Sequence, residues 1–161
     1  DTGKDSSIAQ RLLKVRAFVG QEDFLVTYGD CVSDIDIGSL VARHLESPKA
    51  VTMAVTAPMG RSRALPITEK GELSEDTPVS HQFVRADACT MVFSEKIFSY
   101  LQEFSEDDVM SEPLMKRLAH DHEISLYFHE GFWSPMETSR DKHYLEYLYE
   151  TGRAPWKNWQ E

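Results

Sequence analysis

Apolar positions recur along the chain in two rhythms, and the switch between them predicts its elements. Over residues 7–19, Ile8, Leu12, Val15 and Val19 fall at helical spacing, and Gly20 supplies a stop. Residues 24–27 form a short apolar run, the pattern of a strand buried on both faces. A row of acids, Asp30, Asp34 and Asp36, comes directly after it. Ile37, Leu40, Val41, His44 and Leu45 then lie on one helical stripe, with Asp36 as a cap and Pro48 beyond the end. Strand, acidic turn and helix in that order make half of a βαβ unit.

Further along, residues 50–57 are β-prone and alternate Val51, Met53 and Val55 with smaller or polar residues. A loop is expected over 56–63, a short strand over 64–68, a turn at Lys70-Gly71 and a polar, turn-rich stretch over 76–80. The next strand region is 82–93, interrupted by Arg85 and Asp87, and a helix follows over 95–104. An acidic turn at 105–108 leads to a helix opened by Ser111, Glu112 and Pro113 and continuing to about Ala119. A strand is expected over 124–128, an aromatic loop over 131–138, and a last helix striped by Tyr144, Leu145, Leu148 and Tyr149 before Thr151-Gly152. There is no internal repeat, low-complexity tract or linker, so residues 1–161 read as one domain. Strands alternating with helices favour an α/β fold with a largely parallel sheet and one or two hairpin strands.

The formal charge of −10 changes the functional picture by exclusion. The mean field repels nucleic acid and anionic lipid, and no Lys/Arg-rich run offsets it locally. A phosphate ligand would need local donors, a helix N-terminus or a divalent cation. Cys31 and Cys89 form no CxxC spacing, so neither a zinc site nor a disulfide framework is signalled. Two reduced thiols, no signal peptide and no run long enough to span a bilayer give the expectation of a cytoplasmic protein without membrane contact.

The segments TYGDCVSDIDI, SEPLMKRLA, GFWSPMETSRDKHYLE and GRAPWKNW, in this order, resemble the C-terminal portion of bacterial glucose-1-phosphate cytidylyltransferases, a sugar-nucleotide pyrophosphorylase family. The resemblance runs from Asp1 to Trp159. It implies an incomplete Rossmann-like nucleotidyltransferase fold, with a mostly parallel sheet, flanking helices and a small hairpin region. It also implies a reaction in which a sugar 1-phosphate attacks the α-phosphorus of a nucleoside triphosphate and releases pyrophosphate, with Mg²⁺ held by two carboxylates. The Asp of the family's YGD motif matches Asp30, and the acid of its PMD-type motif matches Glu137. Arg11 matches the Arg of a TGGR motif and is the candidate catalytic residue. Asp30, just past the end of a buried strand, would stand in the crevice where open α/β sheets bind ligands, and Gly29 would let a ligand approach the backbone. Asp34 and Asp36 read as caps for the following helix.

Departures from the family pattern fall on ligand contacts. The resemblance places the glycine-rich nucleotide loop and its Lys ahead of Asp1. TGGR appears as Ile8-Ala9-Gln10-Arg11, an EKP motif aligns with Asp76-Thr77-Pro78, an NGG turn becomes Asp87-Ala88-Cys89, and Glu137 replaces Asp. The expectation is therefore a polypeptide that does not turn over alone. Its partners would be a sugar phosphate or nucleotide, and a second polypeptide carrying the N-terminal half or a further copy of itself. The competing expectation is a non-catalytic homologue serving as a structural or regulatory subunit, and a third is a crevice turned to another small anion. Removal of strands that the family places beside 24–27 would leave an apolar edge.

Other constellations have blander readings. Asp1-Thr2-Gly3 carries the aspartic-protease triplet without the preceding strand that chemistry needs. His120-Asp121-His122, with Glu123 and His129, offers metal-capable side chains, but a solvated cluster at a helix C-terminus suits it better. His44 and His81 read as surface or core-edge residues. Cys31, beside Asp30, would lie exposed at the crevice mouth, and the neighbouring acid disfavours its thiolate. Trp133, Tyr144, Tyr147, Tyr149, Trp156 and Trp159 make a tail dense enough in aromatics to suit an interface.

Overall fold

The computed structural model describes residues 1–47, 49–57, 85–104 and 112–158. Helix α1 (Ile8–Val19) opens with a capping box, in which Ser7 accepts from the Gln10 N–H and Gln10 reaches back to the Ser7 N–H. It ends at Gly20, whose positive φ of 66° suits only a residue without a side chain. Strands β1 (Phe24–Thr27) and β2 (Cys31–Ser33) follow, then α2 (Ile37–Leu45), capped by Asp36 through Ser39 N–H and Ser39 Oγ. The sequence expectation for Asp36 is thus borne out. Next come β3 (Val51–Thr56), β4 (Ala86–Phe93), α3 (Ile97–Glu103), α4 (Glu112–His120), β5 (Ile124–His129), β6 (Trp133–Pro135) and α5 (Ser139–Glu150).

The main sheet has the order β1-β4-β3-β5, and β2 pairs with β6 in a separate two-stranded ladder. Strand β4 is antiparallel to both β1 and β3, while β3 and β5 are parallel. Three of the four strands therefore point the same way, and β4 is reversed between them. The α/β class holds; among the described residues parallel pairing is confined to β3 with β5, a matter on which hydrophobic patterning, which reports burial and not strand direction, is silent. One difference from expectation concerns β1. Among the described residues it lies at the sheet edge, with Phe24 and Val26 against the core and Leu25 41% exposed, so one face is covered. The aromatic stretch after Gly131 is also more ordered than a loop, since its centre is β6.

Two apolar clusters flank the sheet. Leu12 of α1 joins Phe98 and Leu101 of α3, Leu114 and Leu118 of α4, and Met53, Met91 and Phe93 of the strands. On the other side Leu40 of α2 meets Ile35, Ala54, Val92 and Trp133. Buried His44 ties α2 to the sheet through Nδ1 and Thr52 Oγ1, 2.8 Å apart. The expected loop, strand and turns over 58–80, His81, residues 82–84 of the strand region, the acidic turn at 105–108, the Ser111 cap, Pro48 and Trp159 lie outside the described residues, as does Asp76-Thr77-Pro78.

Candidate functional site

Because β1, β3 and β5 run in one direction and β4 in the other, one end of the sheet gathers the residues after three strands and those before the fourth. Tyr28–Asp30, Ala57, Glu130 and Arg85–Asp87 share this lip, and the β2–β6 ladder extends from it. Asp30 meets Met136, the residue before Glu137, there through the backbone. The ladder pairs Cys31 with Pro135, and the Met136 N–H continues it by donating to the Asp30 carbonyl at 2.7 Å. Glu137 is the next residue and stands just before Thr138, the N-cap of α5. Thr138 accepts from the Asp141 N–H at 3.2 Å while Asp141 accepts from the Thr138 N–H at 2.9 Å, closing a capping box. Both Asp30 and Glu137 are exposed.

Two exposed carboxylates, Asp30 and the residue after its backbone partner Met136, offer hard oxygens of the type Mg²⁺ prefers. Among the described residues no group of three or more His, Cys, Asp or Glu is placed to hold a metal ion. The donor chemistry of the two acids suits Mg²⁺, which commonly takes one or two protein carboxylates and completes its sphere with water and substrate phosphate.

Arg11 is not brought to these acids by any contact of its guanidinium. Nε donates to the Ser6 carbonyl at 3.1 Å, one terminal nitrogen to Thr2 Oγ1 at 3.0 Å and the other to the Lys4 carbonyl at 3.0 Å. Its helix packs against α3, in the cluster on the far side of the sheet from Trp133. The side chain organises residues 2–6, in which Lys14 also takes part through the Thr2 carbonyl and Ser6 Oγ.

Several residues at the lip escaped the sequence reading. Asp34 does not cap α2; its Oδ1 accepts from the Phe132 N–H at 2.7 Å and lies 3.0 Å from Nε2 of buried His129. His129 Nε2 also lies 3.1 Å from the Phe132 carbonyl. The clamp joins the end of β5 to the ladder and needs Gly131, where an added Cβ would fall 2.5 Å from Asp34 Oδ1 and 2.7 Å from His129 Cε1. Arg85 contributes a cation here, paired with Glu130 at 2.9 Å and lying over the Phe128 ring. Sequence spacing gives no signal for either arrangement, since each depends on strand ends that only the folded sheet aligns. His120-Asp121 behaves as the expected helix-terminal cluster. His120, Arg117 and Tyr100 hydrogen-bond to Asp121 and hold its carboxyl down at about 2, and the Tyr100 hydroxyl is pushed up to about 12 by burial and by Asp121.

The two thiols also meet. Trp133 Nε1 donates to the Ala88 carbonyl at 3.1 Å, and Cys31 and Cys89 pack against the same cluster. Cys31 is half-buried rather than open at the mouth. A hydrogen bond from Cys89 lowers its pKa, outweighing burial and the charges of Asp30 and Asp87, while Cys89 is raised by the same contact and by burial. Cys89 has φ 59°, left-handed for a side-chain-bearing residue. At the opposite end of the sheet a cavity of about 600 Å³ is lined by His44, Asp23, Lys49, Arg16, Glu95 and Lys96. Arg16 is paired with Glu95 across it, and it shares no residue with the lip.

No protein-family model matches the chain. It is 36% identical, over 99% of its length, to the glucose-1-phosphate cytidylyltransferases of Salmonella typhimurium and Salmonella typhi. The chain spans 62% of the length of these curated relatives. In fold it matches a Bacillus anthracis protein described as a candidate glucose-1-phosphate thymidylyltransferase, in complex with a sucrose, at TM-score 0.76 and 18% identity, covering 99% of this chain and 65% of that one. The resemblance carried by the motifs therefore extends along almost the whole chain, and the chain shares its fold with the Bacillus anthracis protein over the same span.

Proposed function

We propose that the chain provides the sugar-phosphate and metal-binding portion of a sugar 1-phosphate nucleotidyltransferase of the glucose-1-phosphate cytidylyltransferase type. The observation that carries this reading is the 36% identity sustained over 99% of the chain. The backbone adds support, because Asp30, distant in sequence from Glu137, is hydrogen-bonded to Met136, the residue next to Glu137. In this proposal the two carboxylates hold Mg²⁺, which when bound neutralises phosphate charge. The chain's own residues position the ion and substrate: the Met136–Asp30 hydrogen bond fixes the spacing of the acids, and the Asp34–His129 clamp fixes the ladder against the sheet. Arg11 enters as a positioning residue, because its donors are engaged by residues 2–6 rather than offered to a phosphate.

The same reading assigns no turnover to the 161-residue polypeptide by itself. Among the described residues the lip elements carry Asp30, Asp34, Asp87, Glu130 and Glu137, and their cation Arg85 is paired with Glu130. Phosphoryl transfer relies on cations at the transferred group. With CTP, glucose 1-phosphate and Mg²⁺, the polypeptide is expected to release no pyrophosphate yet to bind glucose 1-phosphate more tightly with Mg²⁺ than without it. Pyrophosphate release would overturn the inactivity, and metal-independent or undetectable sugar-phosphate binding would overturn the site. A second reading, a non-catalytic subunit of an assembly, is favoured by the exposed Tyr144, Tyr147 and Tyr149 of α5 and by the edge position of β1. It shares the expectation of no turnover and differs in predicting no metal-dependent ligand.

A further inference from the structure

We propose that Cys31 and Cys89 form a redox-active pair that closes to an intramolecular disulfide by exchange with low-molecular-weight disulfides. The fold brings them together in two steps. The β1–β4 ladder ends with Thr27 opposite Thr90, and the Tyr28 N–H then donates to the Cys89 carbonyl at 3.0 Å. The chain turns through Gly29 and Asp30 and returns Cys31 over the same spot, where its sulfur reaches the Tyr28 carbonyl at 3.7 Å and the Ala88 carbonyl at 3.9 Å. There Cys31 and Cys89 pack against the same apolar cluster, with the Cys31 sulfur on the carbonyl of Ala88, the residue that precedes Cys89.

The backbone of β4 explains why Cys89 faces Cys31. Successive residues of a regular strand point to opposite faces. Here Ala88 and Cys89 both pack against the cluster of Ile35, Leu40 and Trp133, because the register with β3 shifts between Met53 and Val55 and Cys89 takes a positive φ. Such a conformation is costly for a residue with a Cβ, and what it achieves is the placement of one thiol beside the other. Among the described residues no third cysteine, histidine or carboxylate completes a metal set with them, so the pair suits sulfur exchange rather than zinc. Both residues retain partial exposure, which admits a small reagent.

The exchange balances with the small disulfide as oxidant. The thiolate of one cysteine attacks a sulfur of RSSR, whose S–S bond breaks, and the departing RS⁻ takes up a proton. The second protein thiol then loses its proton and attacks the mixed disulfide, forming the Cys31–Cys89 bond and expelling the second RSH. Two protein thiols are oxidised and one small disulfide is reduced to two thiols. The product ties the turn that carries Asp30 to the β4 bulge.

The test uses the 161-residue chain, fully reduced and then equilibrated with oxidised glutathione, with intact mass and peptide mapping after acid quench. The expected product is about 2 Da lighter than the reduced chain, carries no adduct, yields one Cys31–Cys89 linked peptide pair and reverts with dithiothreitol. Cys31→Ser and Cys89→Ser should each retain a single glutathione adduct. Closure of the mixed disulfide should be at least about tenfold faster in the native chain than in the urea-unfolded one, because the fold raises the effective thiol concentration. Two adducts per native chain, a linkage between chains, or closure no faster than in the unfolded chain would each overturn the proposal.

Discussion

Gly131 has no room for a methyl group, and the reason is local. The Asp34 carboxylate and His129 ring that join β5 to the ladder occupy the space. Gly131→Ala should push Asp34 off the Phe132 N–H and lower stability by about 2 kcal/mol, read from the urea midpoint. An unchanged midpoint would contradict the clamp. A second single-residue effect concerns pH. The Asp121 carboxyl, held down at about 2 by His120, Arg117 and Tyr100, titrates below its unfolded value of 3.8. A depressed carboxylate stabilises the fold above its unfolded pKa and loses that contribution as pH falls through its folded pKa. Asp121→Asn should therefore lower the urea midpoint at neutral pH, with the gap to the parent chain closing between about pH 4 and pH 2. A constant gap across that range would show that the charge is not involved. These contacts were only partly legible in the sequence. The caps at Ser7 and Asp36 are local patterns, whereas the Asp34–His129 and Cys31–Cys89 contacts join residues that no spacing rule relates.

At the scale of elements, the helices follow their patterns because amphipathic stripes and caps act over a few residues. The α1 stripe ends at Gly20, and α4 carries Glu112 in its first turn and His120 in its last, each at the favourable end of the dipole. Short strands are a different case. β2 and β6 have three residues each, too few to show alternation, and they exist because each satisfies the other's backbone groups. β1 looked buried on both faces because its run FLVT is apolar, but an edge strand needs only one covered face. The candidate site inherits this difficulty. Asp30 was found as the residue after a strand and Glu137 through a motif, while the ladder that joins them carries no pattern of its own. Thr138 is the hinge between that ladder and α5. Thr138→Ala should cost about 1 kcal/mol of stability by opening the capping box. It should also weaken metal-dependent glucose 1-phosphate binding by loosening the segment next to Glu137. A variant with the stability loss and unaltered binding would separate the cap from the site.

Among the described residues the molecule presents two partly apolar surfaces. β1 has β4 on one side and no strand on the other among the described residues, with Leu25 41% exposed, and α5 displays Tyr144, Tyr147 and Tyr149. Two other aromatics of the tail are satisfied internally, since Trp156 packs on Phe132 and Trp133 is buried. An exposed apolar edge promotes pairing with another chain, so the 161-residue polypeptide should self-associate at micromolar concentration. Light scattering is the check, Leu25→Lys should shift the distribution toward monomer, and a strictly monomeric parent chain would contradict this. Among the described residues no helix is long and apolar enough to cross a membrane, and the net charge of −10 disfavours nucleic acid. What remains is a lip of carboxylates, in which the end of the β2–β6 ladder brings Asp30 to Met136, the neighbour of Glu137. The most direct measurement of their role is a calorimetric Mn²⁺ titration, with glucose 1-phosphate present, of the parent chain, Asp30→Asn, Glu137→Gln and the double variant. If both acids hold one ion, each single change should weaken binding at least about tenfold, and the double change should cost clearly less than the sum of the two. Additive losses, or affinity equal to that of the parent chain, would contradict a shared cation.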